Sequence, residues 1–538
     1  MMARNDADSD YVVIGAGSAG CALAARLSED PHNRVTLLDA GVEQPTRFRE
    51  IPGVTKLLMA NPRFDWLFRA EPDPSIDGRQ LFWHAGRMAG GGSSINGMVY
   101  IRGRRGDYDD WVDMGATGWG WSDVEPFFRR LEGYTGPGNG ALGQMGPLSV
   151  SPMKKPHPLA KDVIAAGEAL GFPHLPDHNA AGDGEGVYYA LGSQANGMRV
   201  SSARAYLIPA LGRPNLRFIT GARVDRVLFD GKRVSGVRYV KDGQSHDIGV
   251  TREAIVSAGT MQSPLVLLRS GIGPAAQLRD HGIDVLADRE QVGGNLQEHI
   301  GFAIAKHVDV PTYNSEMNVR HGIKHVIDFV LRRAGPLAAP SVQVMGWLKS
   351  DPGLARPDLH MSWLPFAMDL TKMPPVMHAK PAVGLGAVVA RPHSRGRISL
   401  RDASVESAPK IDFQMMGDER DVKALIGAVR LSERFYQTEP LASHVVSDAP
   451  PFRSNMTDAE IVDALKAVCR TGLHAVGSCR MGSDDDAVVD TQLRVRGVDG
   501  LRVADASIMP RQISANTNAT AIMIGERAAD FILDRQNL

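Results

Sequence analysis

The chain is nearly without cysteine: Cys21, Cys469 and Cys479 are the whole complement in 538 residues. No two stand at C-x-x-C spacing and the number is odd. A disulfide framework and a thiolate zinc site are therefore excluded, no metal is expected, and a reducing compartment follows. Long apolar runs are missing too, and none approaches the roughly 18 residues needed to span a bilayer. Met1 to Asp10 is polar and acidic, with no apolar signal-peptide core. The expectation is a cytoplasmic protein without a transmembrane segment, peripheral association with a membrane being left open. Excess charge of either sign is absent. With 60 Lys+Arg against 61 Asp+Glu, the net charge is -1, and no long-range attraction to nucleic acid follows. The basic group Arg102, Arg104 and Arg105 reads as a solvated loop, as does the acidic run Asp484, Asp485, Asp486. There is no repeat of fixed period and no low-complexity segment.

What is present is glycine (57) and proline (33) in an ordinary soluble balance of 43% hydrophobic and 22% charged residues. The length exceeds the about 250–300 residues at which one core stops growing, so two domains are expected. Tyr11 to Ile14 reads as a buried strand, Ser18 to Glu29 as a helix and Val35 to Leu38 as a second strand, a parallel βαβ unit. Leu216 to Tyr239 alternates around Asp230-Gly231 like an antiparallel hairpin. Glu253 to Ser257 is a further buried strand, leading into a helical run near Leu265 to Leu268. Leu501 to Ala504 is a strand and Thr520 to Leu533 an amphipathic helix. From about Gly301 to Cys469, proline and methionine replace the glycine-turn-helix units, as in a separate lobe. The α/β material thus flanks that lobe, and the nucleotide domain is expected to be discontinuous.

Gly15-Ala-Gly17-Ser18-Ala19-Gly20 is a GxGxxG that follows a strand and opens a helix. An acid, Asp39, ends the next strand about twenty residues on. Gly15 permits the tight turn, Gly17 lets backbone approach a pyrophosphate, and Gly20 lets helix and strand pack closely. The helix N-terminus offers free N–H groups and the positive end of its dipole to phosphate. Asp39 can accept from ribose hydroxyls. The motif does not choose between NAD and FAD. A second strand ending in an acid, Val503-Ala-Asp505, offers a partner for a ribityl chain.

Three long segments, in order, resemble the glucose–methanol–choline (GMC) oxidoreductase family. The first is Gly86 to Tyr100, GRMAGGGSSINGMVY. The second is Gly259 to Gly273, GTMQSPLVLLRSGIG. The third is His474 to Gly482, HAVGSCRMG, followed by Leu501 to Pro510 and by Ser514-Ala-Asn516-Thr517-Asn518. The resemblance implies a Rossmann-like FAD-binding domain built from 1–155, 196–300 and 470–538. It also implies an α+β substrate domain with an antiparallel sheet, from 156–195 and 301–469. The cofactor site so implied comprises Gly15, Gly17, Ser18, Ala19, Gly20, Asp39, Ala40 and Arg87, with Trp66, which reads equally as plain core, and the backbone of Val224 on the adenosine side. Gly91, Gly92, Ser93, Asn96, Gly97, Met98, Val99, Ala258, Gly259, Asp505, Ala506, Asn516 and Thr517 complete it. Ala89 replaces a larger aliphatic residue of the family. Ile95 stands where some members carry a histidine bonded to the flavin, so the FAD is expected to be non-covalent.

The same resemblance makes His474 the base and Asn516 its partner in oxidising an alcohol. Removing a hydroxyl proton as hydride leaves for flavin N5 needs a base of near-neutral pKa, which suits histidine. Asn516 also precedes the last helix, where asparagine caps well. That helix would aim its positive end at the flavin pyrimidine and stabilise the reduced ring. The substrate implied is a primary alcohol or hydrated aldehyde, and the acceptor oxygen, a quinone or a cytochrome. An aryl or furanyl alcohol oxidase is the near alternative, and an FAD-containing hydroxynitrile lyase the alternative from another class. In Asn295-Leu-Gln-Glu298-His299, Glu298 replaces the usual Asp, and Ile300-Gly301 follow where choline-oxidising relatives place an acid for the substrate cation. His299 itself reads either as a pocket residue or as part of a buried polar network. Met345, Trp363 and Phe366 are candidate pocket residues, and Cys479 a small packed hydrophobe.

Overall fold

The computed structural model describes residues 8–41, 50–138, 140–180, 182–316, 318–372 and 375–535. Met1 to Ala7 of the polar leader lie outside them. Tyr11, Val12, Val13 and Ile14 are all at most 3% exposed, as a central parallel strand requires. The strand Ser9–Ile14 pairs parallel with Val35–Asp39 on one side and with Gln244–Val256 on the other. Leu216–Thr220 extends the parallel sheet beyond Val35–Asp39, and Leu501–Val503 joins Gln244–Val256 from the far end of the chain. The strand Gln244–Val256 serves two sheets. Its second half lies in the parallel layer, and its first half pairs antiparallel with Arg233–Lys241, which pairs in turn with Arg223–Asp230. Leu216–Thr220 is thus a separate parallel strand, and only Arg223 onward forms the hairpin expected of the whole run. Alternation alone does not distinguish the two, because both have one well-buried face.

The helix Ser18–Leu27 packs on the parallel sheet, and Asn518–Ile532 packs against that helix. Ser18 Oγ donates to Asn518 Oδ1 at 2.7 Å, so their N-termini meet. Further along, Glu526, fully buried, accepts from Arg26, Tyr206 and Arg130. The last helix is buried nearly all round from Ala519 to Glu526, rather than amphipathic, because it packs against both the first helix and the helix Trp121–Leu131.

The second large sheet is antiparallel, in the order Val445–Asp448, Ile300–Val308, Ala382–Val389, Leu359–Leu364, Val344–Leu348, Gly186–Tyr189. Arg470–Thr471 adds to Ile300–Val308, directly before the third motif. The helix Glu419–Tyr436 packs on this sheet. Arg102 and Arg104 are 2% and 6% exposed, which corrects the solvated-loop expectation. Arg102 forks onto buried Glu132, and Arg104 lies 4.3 Å from the Trp347 ring and donates to the Gly184 carbonyl at 2.8 Å. The run Asp484 to Asp486 is exposed, with Asp484 paired to Arg480.

Candidate active site

The carboxyl ends of Ser9–Ile14, Val35–Asp39, Gln244–Val256 and Leu501–Val503 share one edge of the parallel sheet, where open α/β sheets bind ligands. Gly15, Gly17, Ser18, Ala258, Gly259, Ala506, Asn516, Thr517 and His474 each keep part of their surface open. Their neighbours Ala16, Ala19, Ser257, Asp505, Ala515 and Val476 are buried, so the open residues line a groove.

The turn has no room for side chains. Gly15 has φ +106°, and a Cβ there would meet the Ser257 carbonyl oxygen at 2.5 Å. A Cβ on Gly20 would sit 1.9 Å from the Gly15 oxygen, and one on Gly91 would sit 2.9 Å from Gly17 Cα. On the groove side the reverse holds. A Cβ on Gly92 or Gly259 would meet nothing within 4 Å, and one on Gly17 nothing nearer than 3.8 Å. The backbone therefore leaves a cradle bounded by glycines from three motifs. The cradle, together with the paired helix N-termini at Ser18 and Asn518, fits a dinucleotide pyrophosphate.

Asp39 holds the turn from below: Oδ2 accepts from Ala16 N–H at 2.9 Å and Oδ1 from Gly41 N–H at 2.8 Å. Burial raises its pKa, against the pull of those bonds and of Arg87. Ala40 is half-buried beside it. Arg87 lies 4.9 Å and Arg223 5.3 Å from the Trp66 ring, which stacks on Phe68. Ala222 N–H donates to the Asp39 carbonyl, so Val224 is near, its own oxygen accepting from Arg269 at 3.2 Å. Asp39, Arg87, Trp66 and Val224 thus lie near one another.

Other predicted residues are engaged differently. Asn96 Oδ1 accepts from Met98 N–H and Arg199, and its carbonyl accepts from Arg199 as well, so its side chain faces inward. Ser93 Oγ is tied to the Gly90 carbonyl, and Met98 and Val99 are buried. The loop therefore turns its side chains inward, and Gly97 is exposed. Asp505 Oδ2 accepts from Gly259 N–H and Ser263 Oγ and Oδ1 from Ser507 N–H, which ties the third motif to the second. Ile95 packs with Leu58 and Met88 in a small apolar cluster. Cys479 is fully buried, and burial raises its thiol pKa. Among the described residues no group of three or more His, Cys, Asp or Glu could hold a metal ion.

Thr260 Oγ1 donates to the Ala475 carbonyl, joining the cradle to His474. His474 N–H donates to Glu298 Oε1 at 2.8 Å, and its carbonyl accepts from Gln512 at 2.7 Å. Leu473 precedes it at φ +63°, a strained conformation for leucine. The ring has two neighbours: Asn516 Nδ2 lies 2.8 Å from Nε2, and His299 Nδ1 lies 2.8 Å from Nδ1. Asn516 is therefore not the helix cap. Thr517 takes that position without a side-chain bond, and the Asn516 amide is turned to the imidazole.

Protons on these rings follow from their partners. His299 Nε2 faces two acceptors, the carbonyls of Ala390 and Ile513 at 3.0 and 2.9 Å, so it carries hydrogen. Burial above all lowers the His299 pKa to about 4, so the ring is neutral and its Nδ1 is bare. The contact to His474 then requires hydrogen on His474 Nδ1, which leaves the His474 Nε2 lone pair to accept from the Asn516 N–H. Burial, and then His299 and His360, hold the His474 pKa well below 6.5. Asn516 Oδ1, buried beside it, has no partner among the described residues. A hydroxyl arriving here would take over that lone pair from the Asn516 amide and would find an unmet acceptor next to it.

Sequence reading left His299 undecided and missed Gln512, His360, Arg199 and Trp347. Trp347 Nε1 donates to the Ser514 carbonyl at 2.6 Å, and Trp347 stands opposite His360 across two strands. Trp363 pairs with Val344, one residue out of phase with Trp347 and Met345. It therefore lies on the other face of the sheet. Met345 shares the Trp347 face but is 4% exposed, and Phe366 is half-buried.

The GMC oxidoreductase family model matches residues 9–301 and 392–525. An oxygen-dependent choline dehydrogenase of Brucella anthropi is 38% identical over 536 residues, covering 99% of this chain and 96% of the relative. An alcohol dehydrogenase (acceptor) of Pseudomonas putida is 36% identical over 539 residues, covering 98% and 96%. Among solved structures, pyridoxine 4-oxidase from Mesorbium loti superposes with a TM-score of 0.89 at 31% identity, covering 98% of this chain and 100% of the other.

Proposed function

Because the chain belongs to the GMC oxidoreductase family and so acts on CH–OH groups, we propose that it oxidises a primary alcohol, or a hydrated aldehyde, with His474 Nε2 as the base. The family implies FAD, and the cradle and the helix N-termini fit it. Bound FAD supplies the hydride acceptor. Gly15 to Gly20 would hold the pyrophosphate, and Asp39, Ala40, Trp66, Arg87 and Val224 the adenosine. Gly91 to Val99, Ala258, Gly259, Asp505, Ala506, Asn516 and Thr517 would hold the flavin. With Ile95 packed among aliphatics, we read the cofactor as dissociable.

The observation that carries this reading is the tautomer lock on His474. His299, anchored to two carbonyls, presents a bare Nδ1, and so fixes hydrogen on His474 Nδ1 and the lone pair on Nε2. Asn516 orients that lone pair and restrains the substrate oxygen. The depressed pKa keeps the base free at neutral pH, at some cost in proton affinity. Ile300 and Gly301 are buried in a strand, so this place lacks an acid for a quaternary cation, and an uncharged alcohol fits better than choline. The relatives are named for oxidation, and no contact in the site favours the lyase. The test is anaerobic mixing with a panel of alcohols, with oxygen and an artificial dye as acceptors in turnover. His474→Ala is expected to stay yellow and to bleach about 100- to 10,000-fold more slowly. Unchanged bleaching in that variant would remove His474 from the role. Acid precipitation is expected to release the flavin into the supernatant.

A further inference from the structure

The helix Val319–Arg332 carries its apolar face on the outside. It rests on Asp328 and Phe329, each 7% exposed. On the opposite side Val319, Ile323, Val326, Ile327, Val330 and Leu331 are 82, 58, 50, 51, 58 and 76% exposed. At about 100° per residue these six span an arc of about 140°, turned away from the buried pair. Scattered exposed aliphatics are ordinary, but six on one helix face form a contiguous patch of the kind that marks an interaction surface.

Charge identifies what the patch meets. Arg320 and Lys324 are exposed along the edge of the arc, and Arg332 and Arg333 close its end. The one acid within the helix, Asp328, is tied to Arg332 at 2.7 Å. Just past the helix a cavity of about 360 Å³ opens, lined by Lys154, Lys155 and Arg333 with serine and threonine hydroxyls and, among the described residues, no carboxylate. A second copy brought against this face would set like charges together, as an isologous contact repeats each residue. An anionic surface would neutralise them. Among the described residues no helix is long and apolar enough to cross a membrane, so the fitting mode is docking in the interface plane. The segment leaving the helix reaches Ser341, whose Oγ would lie 3.5 Å from a Cβ on Gly97 of the predicted flavin loop. The patch is thus one short segment from the groove.

We propose that this face docks the protein on an anionic phospholipid bilayer, the aliphatic arc entering the acyl boundary and the Lys154–Lys155–Arg333 cavity taking a lipid phosphate. The test is flotation of the FAD-loaded protein with vesicles of equal parts phosphatidylglycerol and phosphatidylcholine, against phosphatidylcholine alone. The protein is expected to float with the anionic vesicles and to fall off as salt rises. The double variant Ile323→Glu, Val330→Glu is expected to lose binding at least about tenfold. Lys154→Glu with Lys155→Glu is expected to lose the salt-sensitive part, a drop of about tenfold or more in binding to the anionic vesicles. Both variants should keep their FAD and their turnover of a soluble alcohol. Wild-type protein that stays with the unbound fraction, or a double variant that floats equally well, would overturn the proposal. So would a wild-type dimer that the double variant converts to monomer, which assigns the face to a second copy.

Discussion

The two ends of the groove are built from opposite materials. Around Gly15, Gly20 and Gly91 the backbone packs against itself, and one added carbon would lie 1.9 to 2.9 Å from another chain segment. Around His474 the parts are side chains from 298–299, 512 and 516, joined by hydrogen bonds of 2.7 to 2.8 Å. The first end tolerates no gained atom and the second no lost donor or acceptor. The difference separates a steric fit, which a short motif can encode, from a network that only the folded chain assembles.

The sharpest way to break the first end is Gly20→Ala. Its methyl cannot clear the Gly15 oxygen without moving the strand or the helix, and overpacking of this kind costs about 3 kcal/mol or more. The variant is expected to purify without flavin, with a melting temperature lowered by several degrees. A yellow variant of wild-type stability would show that the turn is looser than its geometry implies.

The second end is better probed with acid. Burial lowers the pKa of His299 to about 4, and those of His178 and His360 to about 3. An unfolded chain protonates them near 6.5. Their contribution to stability is therefore intact above pH 6.5 and is lost as pH falls, because the unfolded state takes up protons the fold refuses. His299 alone accounts for about 3 kcal/mol by pH 4. Urea midpoints between pH 7.5 and 4.5 should drop steeply, and a flat profile would mean that these rings are already charged in the fold. A smaller effect, on turnover, is expected from His299→Phe. It leaves the His474 Nδ1 hydrogen without its acceptor, a loss of about 1–3 kcal/mol, or roughly 10- to 100-fold in kcat/KM. Because His299 also lowers the His474 pKa, the acid limb of the rate profile should move toward neutral pH with the flavin retained. Lost activity without that movement would reduce His299 to packing.

What could be read from the chain follows the same division. The GxGxxG and the strand-ending Asp39 were legible because each answers to a local rule. The glycines from 86 to 97, and Trp66 and Arg87, entered the cofactor site by resemblance alone. Partners that depend on register or distance were not legible. The carbonyls that orient His299 come from Ala390 and Ile513, which nothing in either segment announces. Trp363 looked like a pocket residue and Trp347 did not, because which strand face points at His474 is fixed only by pairing. Asn516 has the composition of a cap, but the imidazole claims its amide and the helix begins one residue later. Arg102 and Arg104 resembled solvated charge until Glu132 and Trp347 took them in.

Glu298 asks whether the side-chain end depends on shape or on charge. Burial raises its pKa to about 8, although the N–H groups of His474 and His299 and the hydroxyl of Thr471 pull it down. At pH 7 the acid is then mostly neutral and serves as a hydrogen-bond acceptor for the His474 backbone. Glutamine has the same length and keeps one such acceptor, so Glu298→Gln is expected to change turnover by less than about threefold at pH 7, the scale of one modest hydrogen bond. The two proteins should part company on the alkaline side. As pH rises through 8 the wild type gains an anion at the His474 backbone and its rate is expected to change, while the variant, with nothing to ionise there, continues unchanged. If the glutamine protein instead lost as much at pH 7 as His299→Phe, position 298 would have to be an anion in the working enzyme. The second end of the groove would then be held by charge as well as by geometry.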